Sequence, residues 1–223
     1  MPLYTGGGLV GPLFTGGFLI GEAWMLIGGV PTRVYSRPHD AVTVSWDSAG
    51  SHTVTVPSWA RSADVVVLGA GGGGAAYDDD RVGVDHSNQG GRAGHWSTSH
   101  RSVTPGDSLS VTVGKGGREG EYHAFGTVRD AEDGGASGVD NTTAAGGAGG
   151  AWSVLIGNED PQAPGSRSQN GTTYHGGTAG GSNHPAGGAG AGGMFQRVSV
   201  QVAAGPGGDG KVWIVFYDWK GIP

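Results

Sequence analysis

The sequence has no cysteine, so neither a disulfide nor a thiolate metal site can be built from it. Cations are scarce: 13 Lys+Arg against 19 Asp+Glu give a formal charge of −6. That charge offers no electrostatic footprint for nucleic acid and no polybasic patch for anionic lipid. The stretch that follows Gly74, AAYDDDRVGVDHSNQGGRAGHW, carries no 3.6-residue apolar period of a helix. The N-terminus has no basic n-region, so a Sec-type signal peptide is not expected. Residues 9–30 are apolar, but Pro12, Glu22 and dense glycine argue against a spanning helix there.

What replaces these features is glycine, with 49 in 223 residues, about three times the usual share. Each glycine in a helix interior costs about 1 kcal/mol relative to alanine, so the composition disfavours helices nearly everywhere. The glycines keep no strict three-residue period along the chain, which excludes collagen. Hydrophobic residues make up 36% and there are seven tryptophans, enough for a packed core rather than a disordered chain.

Period-two alternation marks the strands. Val42, Val44 and Trp46 alternate with Thr43 and Ser45, Val54 and Val56 with Thr53 and Thr55, and Leu109, Val111 and Val113 with Ser108, Ser110 and Thr112. Val65 to Leu68 is a continuous apolar run, as in a strand buried on both faces. Residues 211–219, KVWIVFYDW, form the most hydrophobic strand candidate, and residues 195–202 form a further one. The reading is all-β: a small N-terminal β-hairpin-like assembly arm with a hinge at 31–40 (residues 1–40), then a β-sandwich-like domain (residues 41–223) with long glycine-rich loops.

The arm holds a ten-residue repeat, PLYTGGGLVG followed by PLFTGGFLIG, which reads as strand pieces joined by Gly-Gly turns. Left alone it would expose apolar surface. It is either an assembly segment packing through Leu3, Tyr4, Leu9, Leu13, Phe14, Phe18 and Trp24, or an edge hairpin of the main domain. Three glycine-dense tracts, 69–94, 114–150 and 171–193, lie between the strands. They are either mobile loops or, for at least the second and third, a polyglycine-II-like lattice in which side-chain-free backbones hydrogen-bond one another.

Motifs for chemistry fail on their context. Gly69-x-Gly71-x-x-Gly74 follows a strand as a dinucleotide-binding turn does, but no helix and no second βαβ unit follow it. Gly114-Lys115-Gly116-Gly117 lacks phosphate-loop spacing, and Asp78-Asp79-Asp80 lacks the spaced ligands of a calcium loop. The eight histidines show no zinc-site spacing and read as solvated or turn-capping. No nucleophile–base constellation stands out, so no catalytic, metal or cofactor site is expected, and no enzyme.

The order SHTVTVPSWARSADVVVLGAGGGG, GGRAGHWSTSHRSVTPGDSLSVTVGKGG, GKVWIVFYDW resembles the glycine-rich minor tail proteins of phages infecting actinobacteria, mycobacteriophages among them. The matching positions are Thr55 to Ala60, Asp64 to Gly74, Thr112 to Gly117 and Lys211 to Tyr217, and LYTGGGLVGPLFTGG resembles the leader of such proteins. The resemblance implies a virion protein of the distal tail, present in multiple copies, made in the host cytoplasm and working beside other tail proteins; the uncharged N-terminal repeat points to a symmetric homo-oligomer, a trimer being favoured. The resemblance further implies attachment to a host envelope glycan or glycolipid, or else a purely structural tail role. Tyr77, Trp96, Trp152, Tyr174 and His175 are the side chains that could meet sugars in the attachment case.

Overall fold

The computed structural model describes residues 14–15, 18–19, 22–27, 30–36, 39–76, 87–123, 127–153, 159–181, 187–188, 190–193 and 204–218. The chain divides into two compact units, Met1–Asp40 and Ala41–Pro223. Every regular element among the described residues is a strand.

In the first unit, β1 (Phe14–Thr15) pairs antiparallel with β2 (Phe18–Leu19), so the second copy of the repeat folds back across its own Gly-Gly. Leu3, Tyr4, Leu9 and Leu13 lie outside the described residues, while Phe14, Phe18 and Trp24 sit on strands. β3 (Glu22–Ile27) pairs with β4 (Val30–Ser36), shifting register between Ala23 and Trp24. Within the segment 31–40 expected as a hinge, Pro31 to Ser36 are strand. A two-stranded ribbon has no central strand, and its edges tolerate the missing N–H of proline.

The second unit is a sandwich. One sheet has the order β5 (Val42–Trp46), β18 (Lys211–Tyr217), β7 (Ser62–Leu68), β9 (Trp96–Ser102). The other has the order β14 (Thr142–Ala144), β13 (Ser137–Val139), β10 (Ser108–Val113), β6 (Gly50–Thr55). All neighbours pair antiparallel. The alternation read from the sequence sets which side chains face inward. Val65 and Val67 meet Val111, Val113, Val139, Ile214 and Phe216 in one buried cluster, while Ser108, Ser110 and Thr112 face out. Each fully buried Val, Ile or Phe contributes about 1.5–3 kcal/mol.

The short pairs β8 (Ser87–Asn88) with β15 (Trp152–Ser153), β11 (Glu121–His123) with β12 (Thr127–Arg129), and β16 (Ser166–Gln169) with β17 (Thr172–His175) lie within the glycine-rich sequence. The strand expected at 195–202 falls outside the described residues.

The strands run on into glycine. β7, β10 and β14 leave the sandwich as residues 69–75, 114–120 and 145–151, and residues 89–95, 131–136 and 204–210 return into β9, β13 and β18. Glycine extends the sandwich beyond the end of its own sheets.

Candidate functional site

Seven backbone segments form a hydrogen-bonded lattice, with residues 69–75 at its centre. The N–H groups of Gly69, Gly72 and Ala75 donate to His95, Arg92 and Gln89 at 2.9, 3.0 and 2.9 Å. Those of Ala70 and Gly73 donate to Gly135 and Glu132 at 3.0 Å, and those of Gly71 and Gly74 to Gly208 and Gly205 at 2.9 and 3.0 Å. Each third residue therefore addresses the same antiparallel neighbour, as a three-residue screw requires. Between these neighbours lie parallel segments that donate back. Gly147 and Gly150 reach the carbonyls of Ala70 and Gly73, Gly117 and Gly120 those of Gly71 and Gly74, and Gly193 that of Gly72.

The surrounding ring closes. Residues 89–95 bond 145–151 (Arg92 N to Ala148 O, 2.8 Å), which bond 132–135 (Gly134 N to Gly147 O, 2.8 Å), which bond 114–120 (Glu132 N to Arg118 O, 2.9 Å). Those bond 204–210 (Gly207 N to Gly117 O, 2.8 Å), then 190–193 (Gly208 N to Ala191 O, 2.9 Å), and so back to 89–95 (Gly91 N to Gly193 O, 2.9 Å). Buried peptide groups must be paired, and here the backbone pairs them with no side chain between the segments. The lattice expected for the second and third tracts thus includes the first, which forms its centre.

Glycine is required where a segment faces another. A Cβ on Gly72 would overlap the carbonyl of Ala148, one on Gly91 the carbonyl of Gly72, and one on Gly207 the carbonyl of Gly71. Where a segment faces solvent, side chains return: Ala145, Ala148 and Ala151 are exposed, whereas Gly147 and Gly150 are buried. The perimeter is tied by Arg92–Glu159, Arg118–Glu132 (2.7 Å) and Arg129–Glu121 (2.8 Å), and by Asp133 and Asp209 accepting the N–H groups of Gly149 and Gly116 at 2.8 Å. The amides of the Gly69-x-Gly71-x-x-Gly74 fingerprint all donate to carbonyls, so none is left to cradle a phosphate.

This arrangement gives the second unit one chemically distinct end. At about 3.1 Å per residue, residues 69–75 carry the chain about 20 Å beyond β7. Residues 114–120 and 145–151 run outward into β11 and β15, and β12 and β8 lead back toward 131–136 and 89–95, so two short strand pairs stand at this end. Most of the lattice between is glycine and alanine. Trp152 stands at the start of β15, 39% exposed, paired with Asn88. Tyr77 lies outside the described residues.

The other candidate sugar-facing side chains lie elsewhere. Trp96 stacks on Trp213 (5.8 Å between centroids, 18°), and Tyr174 meets Trp213 edge-on at 5.3 Å. Tyr174 is 6% exposed and packs with Val66 and Val215 on the outer face of the first sheet, beneath the β16–β17 hairpin. Trp96 Nε1 donates to Pro164 O at 2.8 Å, and His175 is exposed at the end of β17. Trp96 and Tyr174 thus belong to a packed cluster, whereas Trp152 stands at the far end.

Asp64 anchors that cluster, and the sequence reading missed it. Its carboxylate, 1% exposed in β7, accepts from Asn170 Nδ2 (2.6 Å) and Tyr217 OH (2.8 Å) and lies 2.6 Å from His100 Nδ1. A buried carboxylate is tolerable only with such partners. His100 is therefore not a solvated histidine as expected. Burial, and then the hydrogen bond to Asp64, raise the Tyr217 phenol above its ordinary value; burial and the charge of Asp64 raise that of Tyr174. Asn170, at φ 47°, and Gly171, at φ 81°, form the left-handed turn that holds the hairpin on the sheet. The Asn-Gly pair that marks such a turn was the available signal. Among the described residues no group of His, Asp and Glu could hold a metal ion.

Residues 47–194 match the family model described as "Glycine-rich domain", a span that runs from the end of β5 through most of the lattice. The chain is 33% identical over 193 residues to the Gene 32 protein of Mycobacterium phage D29, covering 80% of this chain and 84% of that one. The chain therefore belongs to the glycine-rich domain family, and is similar to a phage protein over most of its length.

Proposed function

We propose that the protein is a phage minor tail protein at the distal tail, whose lattice carries the far-end strand pairs toward the host cell surface. One observation carries this reading: the lattice satisfies its own backbone and holds the strand pairs β8–β15 and β11–β12, with exposed Trp152, at its outward end. Binding and recognition residues concentrate on loops held by a rigid scaffold, and this end has that form. The mycobacteriophage relative supports the virion setting. The acidic balance points away from nucleic acid, and the resemblance to tail proteins, with exposed Trp152, favours a glycan or glycolipid of the envelope. In the first unit, the apolar repeat with Phe14, Phe18 and Trp24 joins copies of the chain, a trimer being favoured, or joins neighbouring tail proteins.

Immunogold labelling of intact virions tests the location, with label at the tail tip expected and label confined to the head overturning it. Pull-down on host envelope fragments tests attachment. Saturable binding that weakens in Trp152→Ala supports it. Tail-tip label without saturable binding at physiological salt would leave a structural subunit and overturn the attachment role. Light scattering tests self-assembly, a trimer being the expected mass.

A further inference from the structure

We propose a second, separate binding site on the outer face of the β14-β13-β10-β6 sheet: a slot over Gly138 that takes one ring of a neutral sugar. The slot is a cavity of about 280 Å³ lined by Ser110, Thr112, Ser137, Gly138, Asp140 and Thr143. It exists because of one residue. Gly138 pairs with Thr112 on one side and Thr143 on the other, so a missing side chain opens a trough between two threonines.

That glycine is not demanded by packing in the way the lattice glycines are. A Cβ on Gly138 would lie 3.1 Å from Thr142 O and 3.1 Å from Thr143 Cγ2, contacts relieved by a few tenths of an ångström, and its φ is not left-handed. Each lattice glycine facing a neighbouring segment, by contrast, would drive a Cβ into backbone. Gly138 therefore keeps the floor of the slot low, and a side chain there would require the β14 backbone at Thr142 to give by a few tenths of an ångström.

The lining suits one face of a sugar ring. With Ala136, the carbon atoms of Ser110, Thr112 and Thr143 make up most of the slot surface, which the C–H face of a ring can meet, and their hydroxyls, each both donor and acceptor, stand where ring hydroxyls can reach them. Asp140 sits at the rim with Oδ1 accepting from Ser110 N–H (3.0 Å) and Oδ2 from Arg101 (2.9 Å), and each oxygen has a further lone pair for a sugar hydroxyl. This carboxylate and the net charge of −6 oppose anions. No aromatic or long apolar side chain lines the slot, which disfavours lipid or an aromatic ligand. The volume stands at the low end of small-ligand pockets, roughly 300 Å³, which suits one ring. Beside it Ser108, Ser110 and Thr112 pair with Thr55, Thr53 and Ser51, all six exposed, giving a hydroxyl-bearing strip on which further sugar units can lie.

The test is titration of the ¹⁵N-labelled full chain with methyl glycosides of glucose, galactose, mannose and arabinose up to tens of millimolar. The expected result is saturable shifts at Gly138, Thr112 and Thr143 for at least one glycoside. In Gly138→Thr, which fills the slot, binding should be about tenfold weaker or lost while the remaining spectrum is unchanged. Should that variant fail to fold, Thr112→Val removes one hydroxyl at constant volume and should also weaken binding. No saturable shift with any glycoside overturns the proposal, as does binding unchanged by Gly138→Thr or Thr112→Val. The outcome is independent of whether the far end binds envelope fragments.

Discussion

Replacing Gly72 by alanine puts one methyl group at the centre of the lattice. The new Cβ would overlap the carbonyl oxygen of Ala148 and lie 2.7 Å from Gly149 N, where real Cβ atoms keep at least 3.0 Å. Both atoms are backbone, so residues 145–151 must move as a body. The carbonyl they displace accepts from Arg92 N at 2.8 Å, and Gly72 itself is held by Arg92 O at 3.0 Å and Gly193 N at 2.9 Å. Two or three hydrogen bonds are thus stretched, and their buried groups have no water to turn to. At about 1–2 kcal/mol for each such bond the loss is about 2–6 kcal/mol. Against a total of roughly 5–15 kcal/mol this is large, and for a domain of this size it lowers Tm by about 4–24 °C. Thermal and urea unfolding followed by circular dichroism measure it. Ala148→Ser, whose side chain is exposed, is the control and should change stability by no more than about 0.5 kcal/mol. A Gly72→Ala protein within about 1 kcal/mol of wild type would refute the packing described for the central segment.

Other consequences follow from the Asp64 network. Asn170→Ala removes the amide that ties the β16–β17 turn to the buried carboxylate, at a cost of about 1.5–3 kcal/mol. Limited trypsin digestion should then cut after exposed Arg167 faster than in wild type; an unchanged rate would mean the anchor does not hold the hairpin. The raised phenols of Tyr217 and Tyr174 predict a loss of stability at high pH. Because the folded value lies above the unfolded one, near 10, their contribution is complete below pH 10 and is lost as pH rises through the folded values. Urea midpoints from pH 8 to 11 should fall, and Tyr217→Phe should flatten the fall. A wild-type midpoint that stays level over that range would contradict the burial of both hydroxyls against Asp64.

The strands of the sandwich were legible because a sheet with one dry face writes its register as period-two alternation, as in Leu109, Val111 and Val113. Val65 to Val67 read as buried on both faces, and they are, between the core on one side and the Tyr174 cluster on the other. The origin of the glycine tracts at strand ends was legible too. Their pairing was not, because glycine permits close approach without specifying a partner, and the lattice joins segments as distant as those of Gly71 and Gly208. One local clue existed in AGGAGGA, residues 145–151, where alanine recurs at every third, outward-facing position. The two-residue turns at Asp140–Asn141 and Asn170–Gly171 interrupt the tracts with hairpins that glycine abundance concealed. Asp64 gave no sign, since its partners Asn170 and Tyr217 lie 106 and 153 residues further along the chain.

Amide hydrogen exchange at residues 69–75 tests the central claim most directly. If these glycines form the hydrogen-bonded centre of a closed lattice, the amides of Gly71, Gly72, Gly73 and Gly74 exchange as slowly as those of β7. Exchange of these four at the rate of an unstructured glycine chain, with β7 still protected, would contradict it.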